Sequence, residues 1–135
     1  MLYKHGPFSF DLSDELTSLR ADRVFDQEVQ QYPYGPKLKP GSLADRIKET
    51  YPSTIDKYDQ AVTFVADHLG DSGVAALERL ATALYVTKEG KSGEGINDRA
   101  DRLREIKPHV SPEDAFASVS LIDLMRVEWA SHKNT

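Results

Sequence analysis

The chain has 135 residues, a length typical of one domain, and its hydrophobic fraction of 39% and charged fraction of 29% are ordinary for a globular protein. It contains no cysteine, which excludes disulfides, thiolate metal sites and cysteine nucleophiles, and no run approaches the roughly 18 apolar residues that span a bilayer. The net charge of −5 disfavours DNA binding without excluding it, because phosphate contacts require a local basic patch.

The N-terminus is too short and too polar for a signal peptide, so we expect a cytoplasmic protein with no membrane association. Residues 3–9 read Tyr-Lys-His-Gly-Pro-Phe-Ser. The Gly6–Pro7 step predicts a sharp turn, because glycine can adopt a positive φ and proline has a fixed one. Such a turn usually directs one element across another. Only two residues precede this motif, so we expect the chain to begin in the middle of a fold.

An amphipathic helix is predicted over residues 11–25, with leucines at positions 12, 16 and 19 on one face. Either Ser9 or Asp11 can cap its first turn. In residues 26–41, apolar and aromatic side chains are spaced loosely by two between proline and glycine breaks, which predicts a short, irregular β-hairpin or wing. The prolines confine any strand in this segment to a sheet edge.

Two capping boxes follow, at residues 42–45 and 53–56. The first starts a short helix that ends before Pro52. The second starts the most regular helix of the chain, whose apolar residues alternate spacings of three and four and form a seam for packing on another helix. The seam residues, all predicted to be buried, are Ile55, Tyr58, Val62, Val65 and Leu69.

Three more helices are predicted in the second half of the chain. The first covers about residues 73–88, and a glycine-rich loop at 89–95 separates it from a helix that ends at Pro108. The last begins at Ser111–Pro112, which supplies a cap and a proline at the first helical position. The predicted inward residues are Leu77, Leu80, Ala81, Leu84 and Tyr85 in the first helix, Ile96, Ala100, Leu103 and Ile106 in the second, and Phe116, Val119, Ile122, Met125 and Trp129 in the last.

These elements predict a mainly α fold. Residues 1–51 are expected to form a helix–wing–helix unit of winged-helix character with a short β-hairpin. Residues 52–135 are expected to form a helical bundle of about four helices. We expect the two parts to share one compact domain.

Two glycine-containing motifs fail the patterns of nucleotide-binding loops. Gly90-Lys91-Ser92 resembles the end of a phosphate loop, but Tyr85 occupies the position of the first glycine, and the loop follows a helix. Gly93-Glu94-Gly95 lacks the third glycine of a dinucleotide fingerprint, where Asp98 stands. We therefore interpret this segment as a flexible connector and expect no cofactor.

The sequence contains no pattern that indicates catalysis or metal binding. The histidines show no pair at helical spacing and no HExxH motif, so we expect no metal site. The carboxylates lie at helix starts, or alternate with arginines over residues 98–105 as on a solvated, salt-bridged face. His68 lies near a helix C-terminus, where a positive charge is favourable. The four histidines are His5, His68, His109 and His132.

The predicted wing and the N-terminal turn form the candidate interaction surface. A winged helix can contact the DNA backbone with its wing and the major groove with the helix before it. Here that helix begins with Asp11, Asp14 and Glu15, which would repel phosphate. We therefore favour a structural or protein-binding role. The candidate residues are Gly6, Pro7, Phe8, Tyr32, Tyr34, Lys37 and Lys39.

The motif Tyr3-x-x-Gly6-Pro7-Phe8-Ser9, the leucine-rich helix after it and the wing Tyr34-Gly35-x-x-Leu38-x-Pro40 resemble uncharacterised bacterial proteins with a Tyr-Gly-Pro-Tyr-Ser motif. Those proteins are distantly similar to the Panacea (SocA-like) antitoxin domain. Residues 77–86 and 103–111 are similar to their C-terminal half. The resemblance implies a helical fold with winged-helix character, no known catalytic activity, and toxin neutralisation or adaptor-like protein binding.

We therefore expect a non-catalytic regulatory or protein-binding protein, with a winged-helix DNA-binding regulator as the alternative and an enzyme as the least favoured class. A homodimer through the N-terminal segment, the last helix or both is also expected, because large apolar side chains cluster at the N-terminus, where helices upstream in the family would cover them, and on the last helix. The alternative is that these side chains fold back onto their own helical unit. These side chains are Leu2, Tyr3, Phe8 and Phe10 at the N-terminus and Met125, Val127 and Trp129 in the last helix.

Overall fold

The computed structural model describes residues 2–3 and 6–133, so Lys4 and His5 of the N-terminal motif lie outside the described residues. Within those ranges the chain is mainly α-helical, as predicted, with six helices and two short antiparallel sheets of two strands each. None of the described helices is long and apolar enough to cross a membrane. The elements are β1 (Leu2–Tyr3), β2 (Gly6–Pro7), α1 (Phe10–Ala21), β3 (Phe25–Glu28), β4 (Lys37–Pro40), α2 (Ala44–Thr50), α3 (Pro52–Leu69), α4 (Val74–Glu89), α5 (Ile96–Ile106) and α6 (Pro112–His132).

The chain divides into two compact units. One consists of residues 1–8 and 64–135 and is called the helical unit here, and the other consists of residues 9–63 and is called the hairpin unit. The division lies within α3, whereas the boundary expected from the sequence lies just before this helix. The helical unit contains every buried hydrophobic residue among the described residues.

The hairpin unit begins with the capped helix α1. The Ser9 hydroxyl accepts a hydrogen bond from the Leu12 amide at 3.1 Å, so Ser9 is the cap. The helix ends at Ala21, four residues earlier than predicted, because Arg23 turns the chain with a φ of 59°. Strands β3 and β4 then pair antiparallel from Phe25 opposite Pro40 to Glu28 opposite Lys37. The predicted short hairpin is therefore present.

A close approach at Gly41 returns the hairpin to the end of α1. The Gly41 amide donates to the Val24 carbonyl at 2.9 Å, and the Leu43 amide donates to the Arg23 carbonyl at 3.0 Å. A Cβ at position 41 would overlap the Arg23 carbonyl group. This corner therefore requires glycine.

The helical unit has its core where α4, α5 and α6 pack together. Helix α6 starts as predicted, because the Ser111 hydroxyl accepts from the Asp114 amide at 3.1 Å and Pro112 occupies the first turn. Gly90, with a φ of 63°, ends α4 in the left-handed conformation. The buried hydrophobic cluster comprises Leu80, Ala83, Val86, Ala100, Leu103, Val110, Ala115, Val119 and Ile122.

Two predicted inward faces are wrong for most of their residues, although Leu69 of α3 and Tyr85 of α4 are half-buried against the core. On α3, Ile55, Tyr58, Val62 and Val65 are exposed, although the sequence predicts that they are buried. On α4, Leu80 is buried as predicted, but the buried face continues through Ala83 and Val86, and three other predicted inward residues are exposed. Those three are Leu77, Ala81 and Leu84. Both helices carry apolar residues on more than one side, and periodicity shows which residues share a face but not which face is covered.

Helix α6 follows its prediction more closely. Val119, Ile122 and Met125 are buried and Trp129 is half-buried, whereas Phe116 is exposed. In α5, Ala100 and Leu103 are buried as predicted. These two helices contribute most of the predicted core.

Candidate functional site

The Gly6–Pro7 turn belongs to the packing of the helical unit. Gly6 is buried with a φ of 128°, and a Cβ there would lie 3.5 Å from the Thr82 hydroxyl and 3.8 Å from the Glu78 carbonyl of α4. Next to it, the almost fully buried side chain of Lys107 places its ammonium 3.1 Å from a Glu78 carboxylate oxygen. Pro7 and Phe8 remain exposed. This turn therefore fixes the N-terminal strands on α4 and leaves two of its three candidate residues at the surface.

The loop between β3 and β4 presents the two candidate tyrosines to solvent. Tyr32 is 97% exposed and Tyr34 is 65% exposed. The Tyr34 amide donates to the Gln31 carbonyl at 3.0 Å in a turn that contains a cis peptide bond before Pro33. Val29, at the start of the loop, is almost fully exposed as well. The loop therefore carries a cluster of uncovered aromatic and apolar side chains, and residues 29–36 are called the hairpin loop here.

The two candidate lysines lie on β4, opposite acidic residues of β3. Lys39 faces Asp26 and Lys37 faces Glu28 across the strand pair. The Lys39 ammonium also lies 3.8 Å from a Glu28 carboxylate oxygen. The hairpin unit as a whole has ten acidic and seven basic residues, a net charge of −3. The strand lysines therefore form no concentrated basic patch.

A pocket of about 210 Å³ lies between α1 and the hairpin. Leu16, Phe25 and Leu38 line its apolar part, and the Arg20 guanidinium donates to the Gln27 side-chain oxygen at 2.7 Å on its polar side. This volume is below the range typical of small-molecule sites. The pocket is therefore smaller than most sites that bind a metabolite.

The candidate residues fall into two groups. Tyr32, Tyr34, Lys37 and Lys39 belong to one β-hairpin of the hairpin unit. The turn at residues 6–8 belongs to the helical unit. Only the first group forms a continuous surface segment beside the pocket.

A second pocket, of about 380 Å³, lies beside the glycine-rich loop of the helical unit. Its walls include Arg99, whose guanidinium donates to both carboxylate oxygens of Asp123 at 2.7 and 2.6 Å and to the Thr87 hydroxyl at 3.1 Å. The hydrogen bonds from Arg99 hold the pKa of the Asp123 carboxyl below its usual range. Both charges are therefore engaged with each other and not with the pocket.

The start of α5 lies beside this pocket and is already occupied by an acidic side chain. Asp98 stands in the first turn, and a Cβ on Gly93 would overlap its carboxylate. A carboxylate here complements the partial positive charge of the helix N-terminus. Gly93 therefore leaves space for the Asp98 carboxylate. This packing explains the glycine at position 93 without a bound phosphate.

Sequence reasoning missed the burial of Arg99. The alternating charges of residues 98–105 predict a solvated face for the arginines of α5, but Arg99 is buried. Arg102 instead forms partly exposed ion pairs. Arg102 donates to Glu89 and to Glu105, each at 2.8 Å, and the bond from Arg102 lowers the pKa of Glu89. The available signal was spacing, because position 99 lies three residues after Ile96 and four before Leu103, on the apolar stripe.

His68 connects the end of α3 to α6 within the helical unit through its ring nitrogens. Its Nδ1 lies 2.8 Å from the Phe64 carbonyl oxygen, and its Nε2 lies 3.0 Å from a Glu128 carboxylate oxygen. Both partners only accept, so both are satisfied when the imidazole carries two protons. The backbone hydrogen bond and the Glu128 carboxylate accordingly raise the pKa of His68. The ring also lies against Phe64, which in turn contacts Trp129.

In the parts of the chain that the structure describes, no group of three or more His, Asp or Glu side chains is arranged to hold a metal ion. Comparisons with protein-family models, with curated proteins and with solved structures found no match to this chain.

Proposed function

We propose that this protein is a non-catalytic regulatory protein of the cytoplasm that binds a protein partner through the hairpin loop, in the manner of an antitoxin or an adaptor. The observation that carries the proposal is the exposure of Tyr32 and Tyr34 in one loop. Tyrosines bury large area at low entropic cost and are enriched among the residues that dominate protein–protein binding energy. The pocket of about 210 Å³ between α1 and the same hairpin supports the proposal, because it offers space for a side chain of the partner.

The charges of the helical unit support a non-catalytic role. A general acid or base acts on a substrate placed within hydrogen-bond reach. Arg99 and Asp123 instead bind each other, as do Arg102 and Glu89. Their shifted pKa values follow from these pairs, and structural ion pairs perturb pKa values without catalysis.

A homodimer is part of the proposal. Phe8, Phe10 and Val127 are exposed, as that arrangement requires. Met125 is buried in the helical unit, so its side chain does not contribute to the proposed dimer surface. Exposed Leu124, one turn before Val127 on α6, takes its place.

Partner binding by the hairpin loop is tested with tyrosine substitutions. Tagged wild-type chain is expected to co-purify a defined protein from the cells that produce it, and a Tyr32→Ala, Tyr34→Ala double variant is expected to lose it. Tyr51→Ala is the matched control, since Tyr51 is an exposed tyrosine of the same unit outside the loop. Retention of the partner by the double variant, or equal loss in the control, would overturn the assignment of the binding surface.

A further inference from the structure

The β3–β4 hairpin has two edges, and its hydrogen-bond pattern determines which backbone groups each edge presents. In an antiparallel pair, residues that exchange backbone hydrogen bonds alternate with residues whose N–H and C=O point away from the partner strand. Pro40 has no N–H, so it cannot exchange such bonds with Phe25, which lies opposite. The bond from the Gly41 amide to the Val24 carbonyl fits the same alternation. Phe25 and Gln27 therefore point their N–H and C=O groups outward from β3.

The two edges differ in what they offer to a further strand. On β4 the outward positions are Leu38 and Pro40, and the proline removes a donor from this edge. On β3 both outward positions, Phe25 and Gln27, carry an N–H, and neither forms a backbone hydrogen bond within the described part of the chain. Unpaired edges of this kind bind extended segments of other chains. The outward side of β3 is therefore the open edge of the hairpin, and it is called the β3 edge here.

Helix α1 lies against one face of the hairpin. Leu16 and Arg20 of α1 line the pocket of about 210 Å³ together with residues of both strands. The strand residues are Phe25 and Gln27 on β3 and Leu38 on β4, which share one face of the sheet. Since the pocket reaches both strands, α1 covers this face and does not run along the β3 edge. A strand added at the β3 edge would place every second side chain on this face, next to the pocket.

The opposite face of the hairpin carries charges that are separated by strand. Asp26 and Glu28 lie on β3, and Lys39 and Lys37 lie opposite them on β4. A strand added at the β3 edge would lie about 4.8 Å from β3 and about twice as far from β4, so its side chains on this face would meet the carboxylates first. Opposite charges on neighbouring strands are favourable and like charges are unfavourable. The β3 edge therefore favours basic residues on the charged face.

A second copy of this chain does not match the β3 edge. In an antiparallel pair of β3 strands, outward residues lie opposite outward residues, which places Asp26 and Glu28 of one copy opposite carboxylates of the other. In a parallel pair the charged face of one copy continues into the apolar face of the other, so these carboxylates would lie beside Phe25. The matching occupant is therefore a segment of a different protein.

We propose that the β3 edge binds an extended segment of the protein partner in which basic residues alternate with apolar residues. The segment adds a strand to the hairpin. Its basic side chains lie beside Asp26 and Glu28, and its apolar side chains lie beside the pocket under α1. The inference rests on the proposed function, because it names the chemistry of the partner that Tyr32 and Tyr34 contact. Strand β3 leads directly into the hairpin loop, so the two surfaces are continuous.

Two synthetic peptides test the edge and its charge preference directly. In one peptide lysine alternates with valine, and in the other glutamate replaces each lysine. On titration of isotope-labelled chain, the lysine peptide is expected to shift the amide signals of Phe25 and Gln27, whereas the Leu38 amide on the other edge responds little. The glutamate peptide is expected to leave all three signals nearly unchanged. Equal responses to the two peptides, or no response at Phe25 and Gln27 to millimolar lysine peptide, would overturn the proposal.

Blocking the edge provides the second test. Gln27→Pro removes one outward N–H and none of the N–H groups that pair β3 with β4, so the hairpin can keep its own hydrogen bonds. This variant is expected to raise the dissociation constant of the lysine peptide several-fold relative to Gln27→Ala, which keeps the amide. Circular dichroism checks that both variants are folded. Equal affinities of the two folded variants would show that the peptide does not pair with the β3 edge.

Removal of the carboxylates provides a third test that leaves every backbone group in place. The double variant Asp26→Asn, Glu28→Gln is expected to lose the preference for the lysine peptide over the glutamate peptide. The matched control is Asp56→Asn, Asp59→Asn, at two exposed carboxylates of α3 in the same unit, which is expected to keep the preference. A preference that persists in the first variant, or disappears equally in the control, would overturn the assigned chemistry.

The same variants separate this inference from the proposed function. A co-purified partner that is lost in the Tyr32→Ala, Tyr34→Ala variant but retained by folded Gln27→Pro would overturn strand addition and leave binding by the hairpin loop intact. Conversely, a tyrosine variant that retains the partner, in a chain whose β3 edge binds the lysine peptide selectively, would overturn the role of the loop and support the edge.

Discussion

Arg99 shows what a single buried charge does in the helical unit. From α5 it donates to Asp123 on α6 and to Thr87 on α4, so one guanidinium links three helices. Such a group is costly to bury alone, and removal of its partner leaves the remaining charge unpaired. The bidentate geometry also fixes the rotation of α6 relative to α5, because a planar guanidinium pairs with a carboxylate in a defined orientation.

Removal of the Asp123 carboxylate is expected to destabilise the chain. Asp123→Ala should lower the free energy of unfolding by about 2–3 kcal/mol, below the values for fully buried pairs because a third of the Asp123 side chain contacts water. Denaturant titration followed by Trp129 fluorescence measures this. The control is Asp101→Ala, at an exposed carboxylate of the same helical unit, which should change it by less than about 0.5 kcal/mol. Equal losses in both variants would show that the ion pair between Arg99 and Asp123 makes no specific contribution to the free energy of unfolding.

His68 gives the helical unit a dependence on pH. Because the Phe64 carbonyl and Glu128 raise the pKa of His68 above 6.5, the folded state binds its proton more tightly than the unfolded state. Its stabilising contribution is therefore complete below about pH 6.5 and is lost as the pH rises through the raised pKa. Asp67 on the same helix acts in the same direction.

The measurement compares unfolding of wild-type chain and His68→Gln at about pH 6 and about pH 8, on either side of the usual histidine range. Wild-type chain is expected to lose stability between these values, and His68→Gln is expected to lose less. The two proteins differ only at position 68, so the difference between their pH dependences isolates the contribution of His68. An identical pH dependence of the two proteins would refute a folded-state pKa of His68 above 6.5.

At the scale of elements, the β3–β4 hairpin sets an expectation for nucleic acid. Duplex DNA of random sequence should bind weakly or not at all at physiological salt, because Lys37 and Lys39 lie opposite acidic residues and the hairpin unit is acidic. Fluorescence anisotropy of labelled duplex at several salt concentrations measures this. Nanomolar binding that weakens steeply with salt, and disappears in a Lys37→Ala, Lys39→Ala variant, would contradict the expectation.

The helices also show which features of the fold can be predicted from the sequence. The cap at Ser111 and the buried residues of α6 are predictable, because the cap and the helical period are local signals. The exposure of the regular apolar face of α3 is not predictable. Such a pattern shows that burial of the face is favourable, but it does not identify the element that would cover the face. The burial of Arg99 is not predictable either. A charged residue on an apolar stripe is buried only when a partner of opposite charge, here Asp123, lies within reach, and the sequence does not show that contact.

The candidate interaction surface is also predictable from the sequence only in part. The exposed tyrosines of the hairpin loop are predicted where they occur, because proline and glycine breaks around aromatic residues indicate an irregular loop. The Gly6 turn looks equally prominent in the sequence, yet its glycine is buried against α4. A turn motif specifies a backbone conformation, and the contacts around it depend on helices more than 70 residues away in the chain.

At the scale of the whole molecule, the two units differ in how they are held together. No residue of the hairpin unit is buried, and its residues reach at most intermediate burial. The helical unit contains all the buried hydrophobic side chains among the described residues. Apolar burial supplies most of the free energy that opposes chain entropy, so the two units should differ in stability.

We therefore expect the hairpin unit to open at lower free energy than the helical unit. Native-state hydrogen exchange should show weak protection of amides in α1, β3 and β4 and strong protection in the core of α4, α5 and α6. A denaturant titration gives an independent measurement, because Trp129 is the only tryptophan and belongs to the helical unit, whereas far-ultraviolet circular dichroism reports both units. The dichroism signal should begin to fall at lower denaturant than the Trp129 fluorescence changes. Coincident transitions with uniform protection would instead show that the chain unfolds as one cooperative unit, with the hairpin unit stabilised by more than its own packing.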